Sequence, residues 1–113
     1  MVKLVADYLS DNGHTNVKAD IPGYDTPSKI TWENTENGHI PDVTSKADYE
    51  FIFEVETDDS IDDSHTEDQW KLFSAYAQQN SKKFIVVVPD GFDIRARSRA
   101  NQLGVKLHGV WTV

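Results

Sequence analysis

The run Phe84-Ile85-Val86-Val87-Val88, entered from Lys83 and closed by Pro89-Asp90-Gly91, most constrains the fold open to this 113-residue chain. Five apolar, mostly β-branched residues without polar alternation form the pattern of a strand buried on both faces. Such a strand needs cover above and below, and the sequence offers three amphipathic segments to provide it. Val2 to Leu9 places Val2, Val5, Ala6 and Leu9 at helical spacing and stops at Asp11-Asn12-Gly13. A second helix is predicted from His65 to about Gln79, opened by Ser64-His65-Thr66-Glu67 as a capping box with Ser64 as N-cap. Its inward arc is read as His65, Gln69, Phe73, Tyr76 and Ala77, bordered by Trp70 and Leu72, with Lys71, Ser74 and Gln78 outward. The third runs from Phe92 to Leu103, with Phe92, Ala96, Ala100 and Leu103 inward and Gly104 as its stop. Extended segments are expected at Thr15 to Ile21, Ser28 to Glu33 and Val105 to Val113. The expectation is one domain over residues 1–113, an α/β layered sandwich with a central mixed β-sheet flanked by helices.

Composition narrows the chemistry. With no cysteine, disulfides, thiolate metal sites and cysteine nucleophiles are excluded, which leaves oxygen and nitrogen donors. No apolar stretch approaches the roughly 20 residues of a membrane span, and Met1 to Asp7 has no signal-peptide core, so a soluble cytoplasmic protein without membrane contact is expected. The formal charge of −8 argues against nucleic-acid binding, but it is unevenly spread. Asp58, Asp59, Asp62, Asp63, Glu67 and Asp68 crowd one segment, whereas Lys82, Lys83, Arg95, Arg97 and Arg99 fall in the last third. Arg95 and Arg99 share a helix face and are candidates for phosphate contacts.

Between the first and second helices lie the residues that carry chemistry. Ile40 to Thr44 and Glu50 to Thr57 read as a β-hairpin turned at Ser45-Lys46-Ala47-Asp48. Alternation puts Glu54 and Glu56 on one face with Ile52, and Phe51, Phe53 and Val55 on the other. Pairing about Ala47 sets Asp42 opposite Ile52 and diagonal to Glu54, close enough for their carboxylates to converge. Three acids on one face of an interior strand repel one another unless a cation, a proton or open water offsets the charge, and a hard divalent cation is the economical partner. A plainly solvated face is the alternative.

Pro41-Asp42, the acidic strand Glu54-Val55-Glu56 twelve residues on, the capped helix and the buried strand together resemble the PD-(D/E)xK nuclease superfamily of restriction endonucleases and Holliday junction resolvases. The resemblance spans nearly the whole chain. It implies a restriction-endonuclease-like fold in which Asp42, Glu54 and the Val55 carbonyl hold Mg²⁺ or Mn²⁺ for hydrolysis of DNA phosphodiester bonds. The superfamily's lysine falls at position 56, where this chain has Glu56, a residue able to orient water or ligate metal but unable to supply positive charge. Lys71 is the obvious substitute, yet helical geometry aims it outward. Gln69 with Tyr76 is partly similar to the glutamine and tyrosine of exonuclease-like members, and His65 is a possible accessory to the site. One site per short chain would favour a homodimer for cutting two strands. The competing expectations are an inactive nuclease-fold binding or assembly module and, last, an acid–base hydrolase built on Glu54 and Glu56.

Overall fold

The computed structural model describes residues 1–113. Helix α1 (Val2–Asp11) is followed by strand β1 (Thr15–Ala19), a short pair β2 (Ile30–Thr31) and β3 (Gly38–His39), and the hairpin β4 (Val43–Lys46) and β5 (Glu50–Val55). Helix α2 (Ser64–Gln79), strand β6 (Lys83–Val88), helix α3 (Asp93–Leu103) and strand β7 (Gly109–Thr112) complete the order. Five strands make a mixed sheet in the order β1-β4-β5-β6-β7, antiparallel from β1 to β5 and parallel from β5 to β7. The chain is therefore an α/β protein with a five-stranded mixed sheet and three helices. No helix is long and apolar enough to cross a membrane.

The apolar strand at Lys83–Val88 sits in the interior of the sheet, with Phe84 to Val88 all buried, as its composition requires. Its alternate residues feed two cores. Phe84, Val86 and Val88 join Ile52, Trp70, Phe73, Ala96 and Ala100 under α2 and α3, while Ile85 and Val87 join Phe53, Val43, Val5 and Leu9 under α1. Two parallel crossovers advancing in one direction across a sheet lay their helices on the same face if they share a hand, and α2 and α3 do so. The β2–β3 pair packs Ile30 onto that face as well. Gly38 is required there, because a Cβ would stand 1.9 Å from the Ile30 carbonyl oxygen.

Several expected boundaries move. The hairpin turns at Ala47 to Tyr49, where the Ala47 N–H donates to the Tyr49 carbonyl, because Ser45 and Lys46 still pair with Phe51 and Glu50. Register shifts by two residues, so Ile52 faces Thr44, and Asp42 falls directly opposite Glu54 in the next pair outward. A shift of two keeps every side chain on its face. Strand pairing stops at Val55 and starts at Val43, and Val105 to His108 precedes the last strand. The cap of α2 is Asp63, whose carboxylate accepts from the His65 N–H at 3.1 Å; Asp caps as well as Ser, and Glu67 turns to Lys71 and Arg99. The buried stripe of α2 is Thr66, Trp70, Phe73 and Ala77 with Leu72 and Ser74, one residue out of phase with the expected arc. His65 is exposed, and Ser74 is buried against the loop before β7, where its hydroxyl bonds the Lys106 backbone.

Phe53 is fully buried at the centre of the α1-side core. Phe53→Ala is expected to lower the unfolding free energy by roughly 3–5 kcal/mol in urea titrations, whereas Leu4→Ala, at an exposed site, should change it by less than about 0.5 kcal/mol.

Candidate metal centre

Pro41 has no N–H to give a ladder, so Asp42 is the first residue of the β4 segment able to donate. Its N–H goes to Glu54 Oε1 at 3.0 Å, and its own carboxylate oxygen Oδ2 accepts the Val55 N–H at 2.8 Å. Each carboxylate thus takes the place of a backbone carbonyl in closing the end of the hairpin. The Asp42 carbonyl is held from the other side by the Asp20 N–H at 3.0 Å, just beyond β1. One residue past the strand, the Glu56 N–H donates to the Val87 carbonyl at 2.8 Å and keeps the chain on β6.

Glu54 and Glu56 are nearly inaccessible, at 2% and 4% exposure, and Asp42 is half-buried. Glu56 is held on every side. Oε1 accepts from the Ser60 hydroxyl at 2.7 Å and lies 3.5 Å from the Thr66 hydroxyl, and Oε2 accepts from the Trp70 indole N–H at 3.0 Å. By contrast Asp42 Oδ1 and Glu54 Oε2 make no hydrogen bond within the chain. In a strand the N–H and C=O of one residue point to the same edge, so the Val55 carbonyl, like its N–H, faces the Asp42 side.

Burial and repulsion act together on this array. Desolvation pushes the Asp42 carboxyl up, the Val55 N–H opposes it, and the Asp20 charge adds to the rise. Desolvation raises Glu54 well above the usual carboxylate range, helped by the charges of Asp42 and Glu56. Glu56 is raised by burial and, further, by Asp42, against the lowering pull of Trp70, Ser60 and Thr66. No cation enters the balance of any of the three.

Two free carboxylate oxygens and a carbonyl at one strand end form an all-oxygen donor set of the kind that suits a hard divalent cation. No group of three or more His, Asp or Glu side chains is gathered about a common point, and the donors the chain itself offers here are the two carboxylate oxygens and the carbonyl. Asp42, Glu54 and Val55 are brought together; the other expected residues are more scattered. Gln69 is half-buried on α2 and makes no side-chain hydrogen bond, because Trp70 holds the position facing Glu56. His65 stacks edge-on against His39, with ring centroids 5.1 Å apart. Tyr76 lies three turns from the start of α2 and takes a hydrogen bond from Lys82 at 3.3 Å. Arg95 is paired with Asp62, Arg99 with Glu67 at 3.2 Å, and Lys71 with Glu67 at 2.9 Å.

Sequence reasoning missed Asp20, Ser60, Thr66 and Trp70. The last two lie one turn apart on α2, a signal masked by the error in helix phase. Compared with known proteins, the chain matches no family model, no curated protein and no solved structure.

The raised Glu54 carboxyl fixes the sign of a pH effect. Protonated in both states below the ordinary carboxylate range, it costs the fold nothing there; as pH rises through its folded-state value, stability is lost. Without divalent ions, Glu54→Gln is expected to melt a few degrees above wild type at about pH 7.5 and level with it near pH 4. Equal melting temperatures at both would refute the electrostatic account. Trp70→Phe removes the indole donor to Glu56, so its thermal deficit should be larger at about pH 7.5 than near pH 4.

Proposed function

We propose that this chain is a restriction-endonuclease-like, metal-dependent nuclease that hydrolyses DNA phosphodiester bonds at Asp42 and Glu54. The observation that carries the reading is the reciprocal clamp in which each carboxylate spends one oxygen on a backbone amide and leaves the other unbonded, beside the Val55 carbonyl. The element order supports it: an opening helix, antiparallel strands bearing the acids, then a helix and a parallel strand. It is also consistent with a binding crevice at the carboxyl ends of parallel strands, since Glu54, Val55 and Glu56 leave β5 at that end.

Mg²⁺ or Mn²⁺ bound there supplies Lewis-acid polarisation of a phosphate oxygen and acidifies a bound water. The chain's own part is positional. The Val55 N–H orients the Asp42 carboxylate, the Asp42 N–H orients Glu54, and Trp70 with Ser60 fixes Glu56 one step beyond. To take a proton from a water at the strand end, Glu56 has to release the Ser60 or Trp70 donor that holds it.

A second reading, a nuclease-fold binding or assembly module without catalysis, draws on one specific observation. Both Glu56 oxygens are already engaged, and no lysine or arginine stands in for the missing positive charge. Titration calorimetry with Mg²⁺ and Mn²⁺ on wild type and Asp42→Ala, beside cleavage assays on single-stranded, duplex and branched DNA, separates the two. The nuclease reading expects metal binding and metal-dependent cleavage in wild type, both abolished in Asp42→Ala. Metal binding without any cleavage would favour the module, and no binding at millimolar ion would sink the metal centre.

A further inference from the structure

The face of the sheet that carries Asp42 and Glu54 continues toward the hairpin turn as a cleft of about 150 Å³. Its floor is Thr44 and Ile52, the pair next to Asp42 and Glu54 on that face. Lys18, paired with Thr44 across β1 and β4, lies on one wall; Lys46 lies one two-residue step further on, and Lys82 closes the far side. Each such step is roughly 7 Å along a strand.

The lysines are unequal. Lys82 is occupied, 3.4 Å from the Glu50 carboxylate and 3.3 Å from the Tyr76 hydroxyl, so the one carboxylate of the cleft already has its cation. Lys18 and Lys46 make no salt bridge, although the chain carries 19 acidic residues against 11 lysines and arginines. Six of the eleven cations make none, and Lys83 with Lys106 lines another cleft; what sets Lys18 and Lys46 apart is their place on the sheet face that carries Asp42 and Glu54. The backbone is shaped to present them: the β1–β4 register slips between Thr15 and Lys18, and Asn16, also on the wall, takes a left-handed φ of 50°. Bulges of this kind re-aim side chains next to sites, and Asn tolerates the left-handed region.

From this arrangement we infer that the Lys18–Lys46 cleft binds the phosphodiester oxyanions of a DNA strand, one to two strand steps from Asp42. The inference rests on the nuclease reading for its choice of polyanion. The ammonium groups donate to non-bridging phosphate oxygens, and the Thr44 and Ser28 hydroxyls on the lining add neutral donors. Arg95 and Arg99, bound to Asp62 and Glu67, are left out of this surface.

The test is fluorescence anisotropy with a labelled single-stranded DNA of about 20 nucleotides in EDTA, from about 50 to 200 mM salt. Lys18→Ala/Lys46→Ala is compared with Lys3→Ala/Arg97→Ala, which removes the same charge elsewhere. The double cleft variant should bind at least tenfold more weakly at the lowest salt, with the salt slope reduced by about 1.4 for two lost single-strand contacts. The control pair should stay within about twofold of wild type, and all three should melt alike. Equal weakening by both pairs, or no binding by wild type, overturns the inference. Because the assay contains no divalent ion, a cleft that passes beside a wild type that never cleaves sinks only the nuclease reading. Cleavage abolished by Asp42→Ala, with cleft variants that bind as wild type, sinks only the cleft.

Discussion

A buried hydrogen bond from the Trp70 indole to Glu56, seconded by a longer one from the Thr66 hydroxyl, ties the long helix of this protein to the end of its central hairpin. A carboxylate at 4% exposure is tolerable only with donors around it, and a fully buried tryptophan needs an acceptor for its one polar atom. Each meets the other's need. Once that bond is set, α2 can approach the sheet only in the phase that buries Thr66, Phe73 and Ala77, and the core under α2 and α3 follows. The same contact places Glu56 just beyond Glu54, where its charge helps keep the neighbouring carboxyl in its proton-binding range. Packing and electrostatics at the strand end are thus one problem with one solution.

Much of this was legible in the residues. The apolar run at β6, the three helices and the alternation of Ile52, Glu54 and Glu56 against Phe51, Phe53 and Val55 all follow from side-chain period and turn chemistry, and the two cores confirm that alternation. Details set by tertiary contact were less legible. The hairpin register depends on whether Ser45 and Lys46 turn or pair, and the buried Ser45, bonded to His14 at 2.8 Å, keeps them in the strand. The phase of α2 is poorly marked in the sequence because a stripe of His65, Gln69 and Tyr76 and a stripe of Thr66 and Trp70 differ by only one residue. Their relative apolarity favours the second only when the tryptophan is weighed as core rather than as a border residue. Asp20 was invisible because its link to Asp42 is made by backbone atoms.

The charge of the chain is also organised. Asp62 and Glu67 absorb Arg95, Arg99 and Lys71 along the surface shared by α2 and α3, so the acidic segment before and within the start of α2 serves partly as an internal counterion. That pairing removes those cations from external partners, while Asp58, Asp59 and Asp63 in the same segment make no salt bridge. Surface pairs of this kind add little stability individually, and their larger effect is on which cations stay available.

Where most hairpins close with carbonyl oxygens, this one closes with carboxylates. The amide protons of Asp42 and Val55 are bonded to atoms that can gain a proton, rotate or be drawn away, so the strength of the last rungs of the β4–β5 ladder varies with the occupancy of the acids themselves. Hydrogen exchange at these two backbone positions is therefore a built-in gauge of the state of the carboxylates, readable in the intact protein without any label or substrate.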